Sequence, residues 1–566
     1  MQKIQQSGFQ VNGLYTPKPF VEPEDKKPPE GVVVWRFPGW SLTQKTRQLI
    51  DAATSRTYQA RLLVPPGWID RSNGKADLPD WDRKGDNKKY DIVPIRFIRA
   101  CEAGHMDDID WRAFIHGDDA TCQGNLWLDE MGTSGELTEL RVRCDGCGQS
   151  RGLSQAAGKH NPSLGKCSGR QEWLGQEYRR VPCDKNMHLL IRTASNAYFP
   201  IKVSVISLPD RDEQLRKAMQ ECWQNCLENV TELSEISIAL RFNPTASAKL
   251  SIYRTEDIWA EIQARRNPQA NATQAADNIR TPELKLLISP EKFLGEDGLD
   301  SPFFAEVVDQ PVPTESSSMD LVERVVMIHR LREVTALTGY SRFEYVNQDV
   351  DDEIPFAAEM APLGKNTDWL PAVENRGEGL FIQLKKTAVE AWAKLPEVRD
   401  AVDSFHRGVE LYNEENQAKR EFKGPEYVLL HTLSHLLMHT IALECGYPAA
   451  SIKERIYNDS DIGYGIMLYT ASSDSHGTLG GLASTARSID LYLAKALELG
   501  ARCSNDPICG LHQPDDPHDK RHFHGAACHG CVYLSETSCE SMNDFLDRNL
   551  VVRTIASNRR HFFEKR

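Results

Sequence analysis

Apolar and polar positions fall into several rhythms along this chain, and each change of rhythm marks an element. From Asp210 onward Leu215, Met219, Cys222, Cys226 and Leu227 recur at three- and four-residue steps, which predicts a helix carrying both cysteines on its core face. A second stripe, Leu321, Val325, Ile328, Leu331 and Val334, predicts another helix, with Asp320 as its cap. TAVEAWAKL from Thr387 is helical in period, and the stretch after Gly424 is apolar nearly all round, the pattern of a buried helix. A last helix is expected over Ala486–Leu499. Strand signals are Val32–Trp40, Ile92–Ala100, Leu380–Leu384 and the buried run Asp461–Thr470.

Polar, proline- and glycine-bearing stretches punctuate these elements. Residues 1 to 30 read as an arm lying over another surface, and Arg71–Lys89 as a loop. Pro268–Thr281 reads as a linker, Pro311–Ser318 as a polar connection, Asp349–Pro355 as a solvated acidic loop and Glu374–Gly379 as a turn. Strands and helices are intermixed, so the fold class is α+β (mixed α/β), and 566 residues exceed what one core usually supports. Four segments are expected: an N-terminal arm and β-containing segment over 1–95, a zinc-binding β-rich domain over 96–205, a helical segment and linker over 206–300, and a C-terminal domain over 301–566.

Composition narrows the class. A hydrophobic share of 40% with 11 tryptophans gives each segment enough apolar surface to fold, and a charged share of 26% is ordinary for soluble proteins. No uninterrupted apolar run of bilayer-spanning length is expected, and Met1–Gly13 lacks a signal-peptide stretch, so the expectation is a cytoplasmic protein with no membrane. The formal net charge of −14 argues against a chain that coats nucleic acid by itself.

The chemistry lies in the 14 cysteines, which in a reducing compartment read as thiols and metal ligands. Cys528 and Cys531 flank two residues, a turn that offers two thiolates to adjacent corners of a tetrahedral zinc ion. Cys509 and Cys539 complete the expected set, with Cys503 a neighbour able to substitute. A second turn, Cys144 and Cys147, predicts a four-cysteine site with Cys167 and Cys183. Cys101, His105, His116 and Cys122 are a looser candidate for another site. With four thiolates and no open position, such zinc is structural.

Nucleotide and nuclease motifs do not occur. There is no G-x-x-x-x-G-K-[ST] octet, so intrinsic ATPase activity is not expected. His431, His435 and His439 form a ladder at four-residue steps, but no glutamate supplies the H-E-x-x-H order, and packing is their expected role. The competing reading is a metal-dependent hydrolase or nuclease using His431, His435 and His476 with Asp474. Backbone amides at the start of the Ala486–Leu499 helix offer a place for an anion.

Several stretches resemble the DrmB family of bacterial DISARM antiphage components, whose C-terminal half is similar to the zinc-binding domain of the MrfA helicases. They are Arg330–Phe343, Val373–Leu384, Leu429–Leu437, Gly465–Leu482 and Ala526–Arg548, joined upstream by Ala100–Trp111, the Cys144 turn and Ile191–Pro200. The resemblance covers most of the chain. It implies an MrfA-type domain over 301–566, zinc at Cys509, Cys528, Cys531 and Cys539, and a stable heterodimer with a Swi/Snf-like helicase, DrmA. Catalysis and most DNA contact would then belong to the complex, and this chain would be no enzyme.

Overall fold

The computed structural model describes the chain from Gly13 to Phe563, outside residues 16–34, 52–53, 71–76, 80–88, 118–120, 159–160, 176–179, 209–210, 252, 267–279, 299–300, 310–316, 344–360, 365–367, 417–419, 471–480 and 557–559. Mixed helices and antiparallel sheets form several cores, as the composition requires. The linker expected at Pro268–Thr281 falls almost wholly outside the described residues, and the acidic loop at Asp349–Pro355 entirely so.

The C-terminal half rests on one sheet whose strands run, in order, Phe293–Gly295, Phe303–Val307, Val322–Ser341, Trp369–Leu384, Gly463–Thr470 and Ile452–Asp459. Two more strands join it. Phe199–Ile206 pairs antiparallel with Val322–Ser341, and Gly13–Tyr15 lies parallel to Trp369–Leu384, so the described piece of the N-terminal arm does cover another surface.

The stripe from Val325 to Val334 belongs to a strand of 20 residues, Val322–Ser341, not the helix its spacing predicts, and Leu321 ends the turn before it. Val325, Val326, Met327 and Ile328 are all buried, so both faces of the strand are covered there and no period of two can show. A register shift between Ile328 and Leu331 then moves the next apolar side chain out of phase, which imitates helical spacing. Asp320 sits in a short 3-10 turn ahead of the strand rather than capping a helix.

Glu374–Gly379 is likewise the middle of a strand, not a turn. Its glycines serve close backbone approach: a Cβ on Gly377 would lie 2.2 Å from the Thr470 carbonyl oxygen, and one on Gly379 2.3 Å from that of Leu468.

Across this sheet lies the helix Pro425–Cys445, with every side chain from Tyr427 to Met438 buried. By length and hydropathy it could cross a bilayer, against the expectation that no such run exists, but its apolar surface is used up inside the protein. The helices Lys386–Ala393 and Ile489–Gly500 pack on the same core, close to their expected positions.

In the N-terminal half, a second sheet orders its strands Ser150–Gly152, Leu140–Cys144, Leu126–Glu130, Thr57–Val64, Ser41–Thr43, Lys89–Pro94 and Asp77–Pro79. Strands on both sides of residue 95 share it, and Phe199–Ile206 belongs to the C-terminal sheet. The expected segment boundaries at 95 and 205 therefore cut through sheet pairings. The described part of Val32–Trp40 forms no strand: Pro38 has no N–H to give, and the Gly39 N–H donates to the Asp108 carboxylate at 3.0 and 3.1 Å. The expected strand Ile92–Ala100 splits at Pro94; its second half, Phe97–Ala100, joins a small sheet with His188–Ile191 and Met106–Asp107. The helices between Arg211 and Arg266 bury Leu215, Met219, Cys222 and Leu227 in a core of their own.

Candidate metal centres

Fourteen free thiols are present, and eleven of them converge in four side-chain clusters with histidines and one glutamate. Two clusters lie in the N-terminal half. The turn after strand Leu140–Cys144 brings Cys144 and Cys147 to His116 and Cys122. The Cys122 and Cys144 sulfurs are 3.6 Å apart, and Cys147 Sγ is 3.3 Å from His116 Nε2. His116 ends a helix capped by Asp110, and its Nδ1 is 3.1 Å from the Arg112 carbonyl oxygen. An Nδ1–H donated there leaves the Nε2 lone pair facing the sulfurs. Glycine is needed beside them, because a Cβ on Gly124 would meet Cys144 Sγ at 2.7 Å.

Cys167 and Cys183 do not join that turn. They meet Cys101 and His105, which the hairpin Phe97–Ala100/Met106–Asp107 holds at its tip. His105 Nδ1 lies 3.5 Å from Cys101 Sγ and 3.6 Å from Cys167 Sγ, and Cys101 and Cys183 sulfurs are 4.0 Å apart. The four-cysteine set expected from spacing is thus two sites that interleave in sequence. The looser residues Cys101, His105, His116 and Cys122 are divided between them.

The C-terminal cluster is Cys503, Cys509, Cys528 and Cys531, with sulfur separations of 3.5, 3.6 and 3.8 Å. Cys503 takes the place expected for Cys539, and the reason is Arg548. Its buried guanidinium donates to the carbonyl oxygens of Gly500 and Ala526, to Asp506 Oδ1 at 3.0 Å and to Cys509 Sγ at 3.5 Å. Asp506 in turn accepts from the Cys503 N–H, so one cation fixes the loop that presents Cys503 and Cys509. Hydrogen bonding from Cys531 and from Arg548, against the effect of burial, brings the Cys509 thiol down to about 5.

Cys539 sits elsewhere, with His431, His435 and Glu454, all four fully or nearly fully buried. Two histidines expected to be packing residues are thereby drawn into a polar cluster. His439, the third rung, stands outside it, and His476 and Asp474 lie outside the described residues. Glu454 Oε1 lies 3.0 Å from His431 Nε2 and 3.3 Å from His435 Nε2, and His431 Nε2 is 3.1 Å from Cys539 Sγ. Glu454 was not among the expected ligands, because in sequence it stands between Lys453 and Arg455 and looks like one more charge on a solvated strand. Burial works to raise its carboxyl, but the two imidazoles hold it well below the usual range.

The cysteine-rich clusters fit zinc. A tetrahedron with Zn–S bonds of about 2.3 Å and Zn–N bonds of about 2.0 Å has S–S edges near about 3.8 Å and S–N edges near about 3.5 Å. The S–S separations run from 3.5 to 4.0 Å and the S–N separations from 3.3 to 3.6 Å. Disulfides are excluded at these lengths, since an S–S bond measures about 2.05 Å. Amide N–H groups two residues on donate to Cys167, Cys503 and Cys528, a device that stabilises thiolate.

Residues 433–532 match the family model described as the MrfA Zn-binding domain, and residues 2–199 match one described as a domain of unknown function, DUF8724. Matched ligand geometry and a matched zinc-binding domain define the class: a zinc-binding protein of several domains. The chain is 30% identical over 510 residues to the "DISARM protein DrmB" of Bacillus paralicheniformis, covering 88% of this chain and 86% of that one. It belongs to the DrmB family and is a DISARM component. A solved structure, the DUF1998 helicase MrfA bound to DNA, aligns at 10% identity over 42% of this chain and 23% of that one with a TM-score of 0.19, too slight to carry any argument.

Proposed function

We propose that this chain is a noncatalytic, zinc-bound subunit of an antiphage complex, which pairs in the cytoplasm with a Swi/Snf-like helicase, DrmA, and shapes or gates that helicase's hold on DNA. The observation that carries this reading is closure: each cluster gathers four protein donors, and a four-coordinate ion so held has no position left for water or substrate. The hydrolase alternative needs His431 and His435 to face a substrate. Both are completely buried and already faced by Glu454 and Cys539.

With 81 acidic against 67 basic residues, any patch that meets phosphate works against the chain's own field, so binding to DNA alone is weak and salt-sensitive. A helicase that holds the same strand nearby makes modest contacts act at high effective concentration. Gel shifts of the chain, the helicase and both together, across a salt series and with ATP turnover measured in parallel, test this. The pair should bind more tightly or more selectively than the helicase alone. No change in affinity, selectivity or turnover overturns the accessory role, and cleavage of labelled DNA by the purified chain with magnesium or manganese overturns the noncatalytic one.

A further inference from the structure

His431 and His435 lie one turn apart on the buried face of the Pro425–Cys445 helix, Glu454 comes from the strand beside it, and Cys539 from the loop that follows the cysteine-rich segment. We infer that these four side chains hold a further zinc ion, separate from the three cysteine-rich centres, which clamps the segment around Cys539 to the core helix and sheet. The inference does not depend on the helicase partnership.

The four donor atoms converge. His431 Nε2 faces both Glu454 Oε1, at 3.0 Å, and Cys539 Sγ, at 3.1 Å, while the same Oε1 also faces His435 Nε2 at 3.3 Å. All four donor atoms lie within 4.8 Å of one another. A chain of hydrogen bonds would pair these atoms in sequence, whereas a central ion draws all of them toward one point.

The outward-facing atoms of His435 and Glu454 are held as those of metal ligands are. His435 Nδ1 is 2.7 Å from the Val532 carbonyl oxygen and donates a proton there, which aims Nε2 at the carboxylate, as an outer hydrogen bond aims a ligating imidazole. The second Glu454 oxygen accepts from the Ser434 hydroxyl, and Oε1 also accepts from the Glu540 N–H, which fixes the carboxylate as outer hydrogen bonds fix metal ligands.

Cys539 is held in the same way. Its sulfur accepts from the Ser541 N–H at 3.3 Å and the Asn543 N–H at 3.1 Å. The amide two residues on is the same donor that serves Cys167, Cys503 and Cys528, so Cys539 is dressed as those ligands are. Charge agrees: as zinc ligands, a carboxylate, a thiolate and two imidazoles would sum to −2, which a divalent ion cancels in a pocket with no exposed atom of either histidine. Imidazole with thiolate suits zinc among the common divalent metals.

Native mass spectrometry of the full chain should count four zinc ions, falling to three in Cys539→Ser. An anomalous difference map at the zinc edge from wild-type crystals should place one peak among His431, His435, Glu454 and Cys539. Three ions in the wild type, or no zinc-edge peak at this position while the cysteine-rich centres show theirs, overturns the inference. The map decides by itself if Cys539→Ser does not fold.

Discussion

Single side chains decide which thiols share an ion. Cys147 and Cys167 have 19 residues between them, yet the first faces His116 and Cys122 and the second His105 and Cys101. Native mass spectrometry should therefore show one zinc lost in Cys144→Ser, one in Cys167→Ser and two in the double variant. Loss of the same single ion in all three would restore the four-cysteine grouping. Each single change removes a ligand from a closed site and should cost at least about 4 kcal/mol, read from chemical denaturation.

At the scale of elements, the two long central strands were the hardest to read, because burial on both faces erases the alternation by which strands are known. Glycines inside Trp369–Leu384 look like turn residues in sequence but let the neighbouring backbone press close. Gly377→Ala should cost about 2 kcal/mol, since the Thr470 carbonyl cannot move without breaking the ladder. Gly67→Ala, where an added Cβ meets nothing within 4 Å, should stay within about 0.5 kcal/mol. Urea midpoints of the two variants check the contrast.

Across the whole molecule, buried polar side chains tie the two halves together. Arg342 donates from the C-terminal sheet to the Gly104 carbonyl oxygen at 2.9 Å, and the Trp173 indole donates to the Pro362 carbonyl oxygen at 2.8 Å. Glu333 joins three strands: Lys453 at 2.9 Å, the Tyr469 hydroxyl at 2.7 Å and the Ser204 hydroxyl at 2.5 Å. Burial works to raise its carboxyl, but Lys453 and the two hydroxyls hold it below the usual range. A carboxyl depressed on folding stabilises above its unfolded value of about 4.3, and that gain is lost as pH falls through the folded value. Glu333→Gln should therefore cost about 3 kcal/mol at neutral pH, and the gap from wild type should narrow in acid below about pH 4. Urea titrations of both proteins at the two pH values measure it; a gap unchanged by pH would contradict the ionic role.

The sequence by itself determined the fold class, the buried helix after Gly424, the strand Gly463–Thr470 and the two C-x-x-C turns, because each depends on residues near one another in the chain. Short-range spacing also made zinc the expected metal. Which ligands complete each turn depended on contacts between distant segments: Arg548 holding the Cys503 loop, the Phe97–Asp107 hairpin bringing Cys101 and His105 to Cys167, and a strand placing Glu454 against His431 and His435. Only the tertiary structure could decide these, since spacing limits how far a loop can reach and burial with charge decides where it closes.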